Sequence, residues 1–254
     1  MVALAIITLL GVTSRETRRL GISQELVYSL FLWGIIGGFV MSRLVHVVDH
    51  FVTHPEEPIQ LIGFAGLALY GAIGGGLLGA WIYMRVKRAP FSSLDGVGDT
   101  IGVGAPLAQA IGRAGCTING CCYGKLSPFF SFPGAVIYTP RDTIPFQYWG
   151  VPLYPTQIYF LLWNLIVFAV VWRLRGRLKP QGSLFFLYLC LYAAGDFGLR
   201  FFRVNEPFLL GLHQGQVISL AILVVAVPWL IIRIRKSQKS SQHLAGSIQH
   251  QSDG

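Results

Sequence analysis

The sequence predicts an all-α polytopic membrane protein with about seven transmembrane helices, the first of them truncated, and a small extracytoplasmic loop region. Hydrophobic residues make up 53% of the chain and charged residues only 12%, and the mean hydropathy is +0.57. Several apolar runs approach the roughly 20 helical residues that cross a hydrocarbon core. The net charge of +9 arises from basic residues clustered beside these runs. They therefore indicate topology anchors and not nucleic-acid binding.

Hydropathy along the chain defines the candidate spans. They are residues 1–12, 26–48, 61–86, 94–115, 157–172, 183–202 and 215–232. The first is too short to cross a membrane, so it is either the latter half of a truncated helix or a sign of a misassigned start. The fourth carries Asp95, Asp99 and Pro106, and for it a broken or re-entrant helix is an alternative to a simple crossing.

The basic clusters predict the orientation of the chain, because cytoplasmic loops are enriched in Lys and Arg. The clusters are residues 15–19, 85–88, 173–179 and 233–239. They fall at alternate loops, which places the N-terminus outside and the C-terminus in the cytoplasm. The segments expected outside are a loop carrying His46, Asp49, His50, His54, Glu56 and Glu57, and residues 127–155. We expect residues 1–236 to form one transmembrane domain and the polar residues 237–254 a disordered cytoplasmic tail.

The segment IGRAGCTINGCCYGK, residues 111–125, places an arginine among small residues at the edge of an apolar run. A charge at membrane depth marks a functional site by default. The planar guanidinium of Arg113 binds phosphate through two parallel hydrogen bonds and stays charged at any working pH. The alternative is a snorkelling or ion-paired structural arginine. The glycines and Asn119 that follow favour a loop that lines a cavity.

Cys116, Cys121 and Cys122 in the same segment allow several interpretations. An extracytoplasmic loop favours a disulfide from Cys116 to Cys121 or Cys122, and small thiols packed between helices are equally ordinary. A thiolate nucleophile beside Arg113 is a further alternative. A metal site would need a fourth ligand, such as His46 or His50, and C-x4-C-C is not a standard zinc spacing. We therefore predict no metal.

Tyr192, Asp196 and Arg200 recur every four residues within one apolar span, so they share a helix face. Asp196 and Arg200 can form an i, i+4 ion pair. Such a pair is costly in hydrocarbon unless the helix bundle shields it. A phosphate site and a purely structural pair are equally compatible with this pattern.

Two other polar residues lie beside glycine-rich runs. Tyr70 opens YGAIGGGLLG, whose small residues are typical of helix–helix contacts in membranes. Its phenol can donate or accept a proton. Arg43 follows the pair Gly37 and Gly38 and is a second guanidinium expected inside the membrane.

These motifs together resemble the prolipoprotein diacylglyceryl transferase family. The matching segments are GFVMSRLVHVV, YGAIGGGLLG, GRAGCTINGCCYG, YPTQIY and LYAAGDFGLRFFR with GQVISL. They are similar, in consistent order, to the family's G-G-R, H-G-G-x-x-G, G-R-x-G-N-F-x-N-G-E-x-x-G and H-P-S-Q-L-Y motifs and to its last two helices. The resemblance covers nearly the whole chain.

The resemblance implies a multi-pass enzyme of the bacterial inner membrane. It would transfer a diacylglyceryl group from phosphatidylglycerol, or a similar anionic phospholipid, to the lipobox cysteine of an exported prolipoprotein. The expected catalytic residues are Arg113, Tyr70 and Cys121. The expected substrate-binding residues are Arg43, Asn119, Gly120, Tyr159, Tyr192, Asp196 and Arg200. We expect no cofactor.

The chain departs from the family pattern at its most polar positions. Tyr70 stands where the family has a histidine, and Cys116 and Cys121 replace an asparagine and a glutamate. Asp196 and Arg200 retain the family's ion pair in reversed order. The alternatives are therefore a homologue that transfers a lipid moiety to another acceptor, a non-catalytic lipid-binding protein, or a thiol-redox membrane protein.

Overall fold

A computed structural model describes residues 1–53, 69–88, 92–139, 145–204 and 207–252 of the chain. Helices dominate these residues. They are α1 (Val2–Arg19), α2 (Gln24–Thr53), α3 (Leu69–Lys87), α4 (Ser92–Asn119), α5 (Thr156–Leu174), α6 (Ser183–Leu199) and α7 (Gln214–Ser252). Contacts divide the chain into two compact units, Thr17–Leu94 and the combination of Met1–Glu16 with Asp95–Gly254.

Four helical segments of the described residues are long and apolar enough to cross a membrane. They are Gln24–Val48, Thr156–Leu174, Ser183–Phe202 and Gln214–Gln238. Their outer faces carry large apolar side chains, such as Leu32, Ile166 and Val224, each at least half exposed. Apolar surface of this extent is typical of contact with lipid. The structure confirms a polytopic all-α membrane protein.

The core of the larger unit lies between α4, α5 and α6. Val103, Val167, Val171, Leu184 and Tyr188 are buried against one another. Glycines of α4 allow α6 to approach closely: a Cβ at Gly102 would lie 3.1 Å from the Cα of Phe185. Small residues at such contacts replace the hydrophobic driving force that helices lack in lipid.

The helix α4 is continuous through Pro106, so the broken-helix alternative for this segment is wrong, and the re-entrant alternative stays a prediction. Its two carboxylates, Asp95 and Asp99, have partners on neighbouring helices, which explains how an otherwise apolar bundle accommodates them. Asp99 is buried and accepts hydrogen bonds from the backbone N–H groups of Gly182, at 2.7 Å, and Phe185, at 2.9 Å. These groups are at the N-terminus of α6, where backbone donors lack partners within the helix. Asp95 forms an ion pair with Arg233 of α7, N–O 2.7 Å.

Several element ends differ from the sequence prediction. The helix α2 continues through His46 to Thr53, so the loop predicted from residue 46 is wrong as far as Thr53, and His54, Glu56 and Glu57 lie outside the described residues. Helix α1 extends through the basic cluster to Arg19. Helix α7 runs to Ser252, which differs from the disorder expected for residues 237–254. Extending an existing helix is easier than starting one, and Ser237 to Leu244 contains no breaker.

A small head follows α4. Strand β1 (Val136–Ile137) pairs antiparallel with β2 (Pro152–Leu153), and a short 3-10 helix, Phe146–Tyr148, precedes β2. Tyr138 and Leu153 are buried in the head's own core. Before α7, β3 (Pro207–Leu209) pairs with β4 (Leu212–His213).

In the smaller unit, α2 and α3 pack through glycines. A Cβ at Gly75 would overlap the carbonyl oxygen of Gly37 and the Cβ of Met41. A Cβ at Gly74, one position earlier, would meet nothing within 4 Å. The two positions therefore differ in packing while sharing a helix.

We expect Gly75→Ala to destabilise the protein by about 1–3 kcal/mol, because the added methyl group separates the two helix backbones. The matched control is Gly74→Ala, which should be neutral or slightly stabilising, since alanine is the better helix former. Thermal unfolding of both variants in detergent measures the difference. Equal melting temperatures would show that α2 and α3 do not depend on this contact.

Candidate functional site

Arg113 lies in the penultimate turn of α4 and is half-buried. Its guanidinium carbon is 4.4 Å from the centre of the Phe160 ring of α5. Thr117 donates a hydrogen bond to the Arg113 carbonyl, at 3.0 Å. The ring holds the guanidinium in place by a cation–π contact, which by itself uses none of the N–H donors, so these can bind another ligand.

Asp196 and Arg200 form the predicted ion pair, with 2.5 Å between Arg200 Nε and Asp196 Oδ2. Asp196 is only 3% exposed, and Ser219 of α7 donates a second hydrogen bond to Oδ2, at 2.8 Å. Among the described residues, Asp196 Oδ1 has no hydrogen-bond partner. The guanidinium of Arg200 lies directly against Gly215, where any Cβ would overlap it. Helix α7 thus contacts both members of the ion pair, Asp196 through Ser219 and Arg200 through Gly215.

Tyr192 connects this pair with Arg113. Its hydroxyl lies within electrostatic reach of Asp196, Arg113, Arg200 and Arg203. The pair is on α6 and the turn after it, while Arg113 is at the end of α4. Three guanidiniums and one carboxylate therefore act electrostatically on one phenol.

The loop after α4 is attached to the ends of α5 and α6. Gly124 N–H donates to the Tyr154 carbonyl, at 3.1 Å, and Lys125 N–H donates to the Phe202 carbonyl, at 2.8 Å. A Cβ at Gly124 would lie 2.5 Å from the Tyr154 oxygen and 2.8 Å from the Phe202 oxygen. Only glycine fits there. Backbone hydrogen bonds thus fix the loop beside Arg203, which is paired with Gly124 in a β-bridge.

Two residues of the YPTQIY segment hold the head in place. Tyr159 donates a hydrogen bond from its hydroxyl to the Pro133 carbonyl, at 2.6 Å. Gln157 is buried and donates to the Cys121 carbonyl, at 2.7 Å, and to the Tyr138 hydroxyl, at 2.8 Å. Both side chains orient the loop that follows Arg113. A substrate contact by Tyr159 stays a prediction.

Asn119 is the last residue of α4, and Gly120 and Cys121 follow it. Gly120 is left-handed, with φ +66°, and its N–H donates to the Thr117 carbonyl, at 3.3 Å. Burial of the Cys121 thiol opposes its ionisation, but hydrogen bonds from Asn119, Cys122 and Cys116 outweigh burial and lower the pKa of Cys121 below its ordinary value. All four cysteines of the chain are free thiols. The structure does not contain the disulfide that was one interpretation of the sequence.

Arg43 and Tyr70 belong to the smaller unit. Arg43 is half-buried on α2, and Tyr70 lies in the first turn of α3. The neighbouring Gly71 would place a Cβ 2.8 Å from the Met41 carbonyl oxygen and from the Ser42 Cα. The two backbones thus meet at this level. The catalytic and binding roles expected of Arg43 and Tyr70 stay predictions.

Sequence reasoning missed three residues of the cluster. Phe160 under Arg113, Gly215 against Arg200, and Ser219 on Asp196 were not expected there. Periodicity within one helix cannot reveal partners on another helix. A signal for the last two existed in GQVISL, which begins at Gly215 and contains Ser219.

Comparison with known proteins gives consistent matches over most of the chain. The model of the family "Prolipoprotein diacylglyceryl transferase" matches residues 1–232. A phosphatidylglycerol–prolipoprotein diacylglyceryl transferase of Dehalococcoides mccartyi is 37% identical over 245 residues, covering 96% of this chain and 91% of that protein. Proteins of the same name from Symbiobacterium thermophilum and Clostridioides difficile are 32% and 29% identical, covering 89% and 91% of this chain and 85% and 86% of theirs.

The match covers every element that contributes to the arginine cluster, which is the group of Arg113, Arg200 and Arg203 with Asp196 and Tyr192. These elements extend from α4 to α7. It also confirms the resemblance that the sequence motifs indicated. This chain therefore belongs to the prolipoprotein diacylglyceryl transferase family.

Proposed function

We propose that this protein transfers a diacylglyceryl group from phosphatidylglycerol to the lipobox cysteine thiol of exported prolipoproteins, in the bacterial cytoplasmic membrane. The reaction forms a thioether and releases glycerol phosphate. The names of its relatives support this activity. The arrangement of charge around Tyr192 supports the handling of an anionic lipid.

The observation that carries the proposal is the convergence of three guanidiniums beside a buried carboxylate. Asp196 neutralises one of the three positive charges, so the group keeps a net positive charge that attracts an anion. The bond to Asp196 uses Nε of Arg200, which leaves the two terminal nitrogens of its guanidinium for a phosphate. Fixed donors aimed at a leaving phosphate stabilise the charge that develops as the C–O bond breaks. Arg113 and Arg200 hold the phosphate in this proposal.

The remaining predicted residues are given roles by position. Asn119 and Gly120 shape the loop that borders the phosphate. Tyr192 contacts the lipid, and Tyr159 lies on the side of the site that faces the head. Arg43 assists with the lipid head group. The thiol of the acceptor must lose a proton, and Tyr70 or Cys121 replaces the family's histidine in accepting it.

Complementation tests the activity directly. The gene is expressed in a bacterium depleted of its own transferase, and the lipidation of a reporter prolipoprotein is followed by mass spectrometry. We expect the reporter to gain one diacylglyceryl group. A correctly inserted protein that leaves the reporter unmodified, while still binding phosphatidylglycerol, would support the lipid-binding alternative.

We further propose seven passes, with the N-terminus outside and the C-terminus in the cytoplasm. Single cysteines at Lys87 and Arg175 should then be protected from an impermeant thiol reagent in intact cells, and those at Thr53 and at Ile137, which is 50% exposed beside the buried Tyr138, should be labelled. The background protein lacks the native cysteines. Labelling at Lys87 or Arg175 before the cells are opened would contradict this topology.

A further inference from the structure

Three cysteines converge at the end of α4. The Sγ atoms of Cys116, Cys121 and Cys122 lie within 4.8 Å of one another, and all three side chains are half-buried. A disulfide would use two of these thiols, whereas a metal ion can use all three. Around a tetrahedral zinc with Zn–S bonds of about 2.3 Å, neighbouring sulfurs are about 3.8 Å apart. The cluster is close to that geometry.

The backbone creates this convergence. Cys121 N–H donates to the Cys116 carbonyl, at 3.2 Å, and Gly120 N–H donates to the Thr117 carbonyl. This pair of hydrogen bonds is a Schellman motif, which brings the residue two places past the helix end back onto the last turn. The spacing C-x4-C thus matches a helix end, although it is unlike a zinc finger. Sequence spacing alone did not predict it.

The third thiol is held by a second set of contacts. The backbone of Cys122 is in the left-handed region, with φ 65°, a conformation that a non-glycine residue adopts only when its surroundings hold it there. Its carbonyl accepts a hydrogen bond from Thr156, at 2.9 Å, and the Cys121 carbonyl accepts one from Gln157. Helix α5 therefore fixes the positions of both adjacent cysteines.

We propose that Cys116, Cys121 and Cys122 bind a thiophilic d10 cation, such as Zn²⁺, and that the thiol of the acceptor cysteine occupies its fourth position. Within the described residues, no His, Asp or Glu completes the group. Three protein ligands with an open position are typical of a catalytic and not a structural zinc site. Arg113 is one turn before Cys116 on the same face of α4, within electrostatic reach of its thiol.

The chemistry deepens the proposed function and rests on it. A coordinated thiol is deprotonated outright, so the acceptor's proton passes to solvent. Its sulfur electron pair then attacks the glyceryl carbon that carries the phosphate. The C–S bond forms, the C–O bond breaks, and its electron pair leaves with glycerol phosphate, which Arg113 holds. No redox change is involved. The metal, and not Tyr70 or Cys121 acting as a base, then supplies the activation that the family's histidine would provide, and Cys121 serves as a ligand.

Cd²⁺ alone serves as the probe, because its thiolate complexes absorb in the ultraviolet. The full-length protein, purified in detergent under reducing conditions, should bind one Cd²⁺ per chain. Cys116→Ser, Cys121→Ser and Cys122→Ser should each weaken binding by more than the roughly 10- to 100-fold that loss of an outer-shell partner costs. The matched control is Cys190→Ser, a half-buried cysteine of α6 outside the cluster, which should bind as the unmodified protein does.

Each further outcome bears on one proposal alone. Absence of the Cd²⁺ absorption band in the folded, reduced protein would overturn the proposed metal site. An unchanged band in each of the three single Cys→Ser variants would overturn it as well. Full transfer activity after removal of metal by a chelator would overturn it too, while the proposed function would stand. A protein that binds Cd²⁺ through the three cysteines but modifies no prolipoprotein, even with Zn²⁺ supplied, would overturn the proposed function and leave the metal site.

Discussion

Replacement of Arg113 by lysine is expected to slow diacylglyceryl transfer by about 30- to 1000-fold. This range corresponds to about 2–4 kcal/mol, the usual cost of losing one donor to a developing charge. Lysine keeps the positive charge but not the planar pair of donors, and it also forms a weaker contact with Phe160. The rate is measured with phosphatidylglycerol and a lipobox peptide in detergent.

Arg173→Lys provides the matched control, since Arg173 is in the last turn of α5, outside the cluster. It should transfer at the unmodified rate. Both variants should insert and melt like the unmodified protein, which separates chemistry from folding. If Arg113→Lys transfers lipid normally, Arg113 is structural and holds α4 against α5 through Phe160.

Asp196 and Arg200 should behave as a coupled pair. Removing one member of a buried ion pair costs about 3–5 kcal/mol, because the other charge is left uncompensated. We therefore expect Asp196→Ala and Arg200→Ala each to lower both the melting temperature and the transfer rate strongly. The double variant should lose much less than the sum of the two single losses, and a double-mutant cycle measures the coupling.

The charge swap, Asp196→Arg with Arg200→Asp, gives the order of charges that the family resemblance implies for the other members. It should recover more activity than either Ala variant, although not all of it, because the exchanged arginine cannot accept the hydrogen bond from Ser219. If the single losses simply add and the swap is no better than their sum, the two residues act independently. The proposed role of Arg200 in binding the phosphate would then be wrong.

The sequence predicted the parts of the fold that depend on the length of an apolar segment. It did not predict the parts that depend on hydrogen bonds between distant polar residues. Hydropathy located α5 and α6 to within a few residues. It could not show how the buried Asp99 is accommodated on α4, because the donors to its carboxylate belong to the distant residues Gly182 and Phe185. A sequence pattern records which residues need a partner and does not record which distant residue supplies it.

For the candidate site, too, contacts within one helix were predictable and contacts between helices were not. The spacing of Asp196 and Arg200 predicted their ion pair, since both lie on one helix. The meeting of Arg113 with Tyr192 depends on how α4 and α6 pack, which only the family resemblance anticipated. The three-cysteine cluster depends on Gly120, whose left-handed backbone turns the chain back. Ligand spacings borrowed from zinc fingers do not describe a helix end.

The hydrogen bonds of Asp99 also set an order for biosynthesis. Gly182 comes 83 residues after Asp99, and at about 5–20 residues per second its synthesis follows by about 4–17 s. In the seven-pass arrangement that we propose, α4 would carry a carboxylate without its donors throughout that interval, which is costly in hydrocarbon. In that arrangement α4 reaches its final position only after α6 has been made, so a later helix completes the insertion of an earlier one.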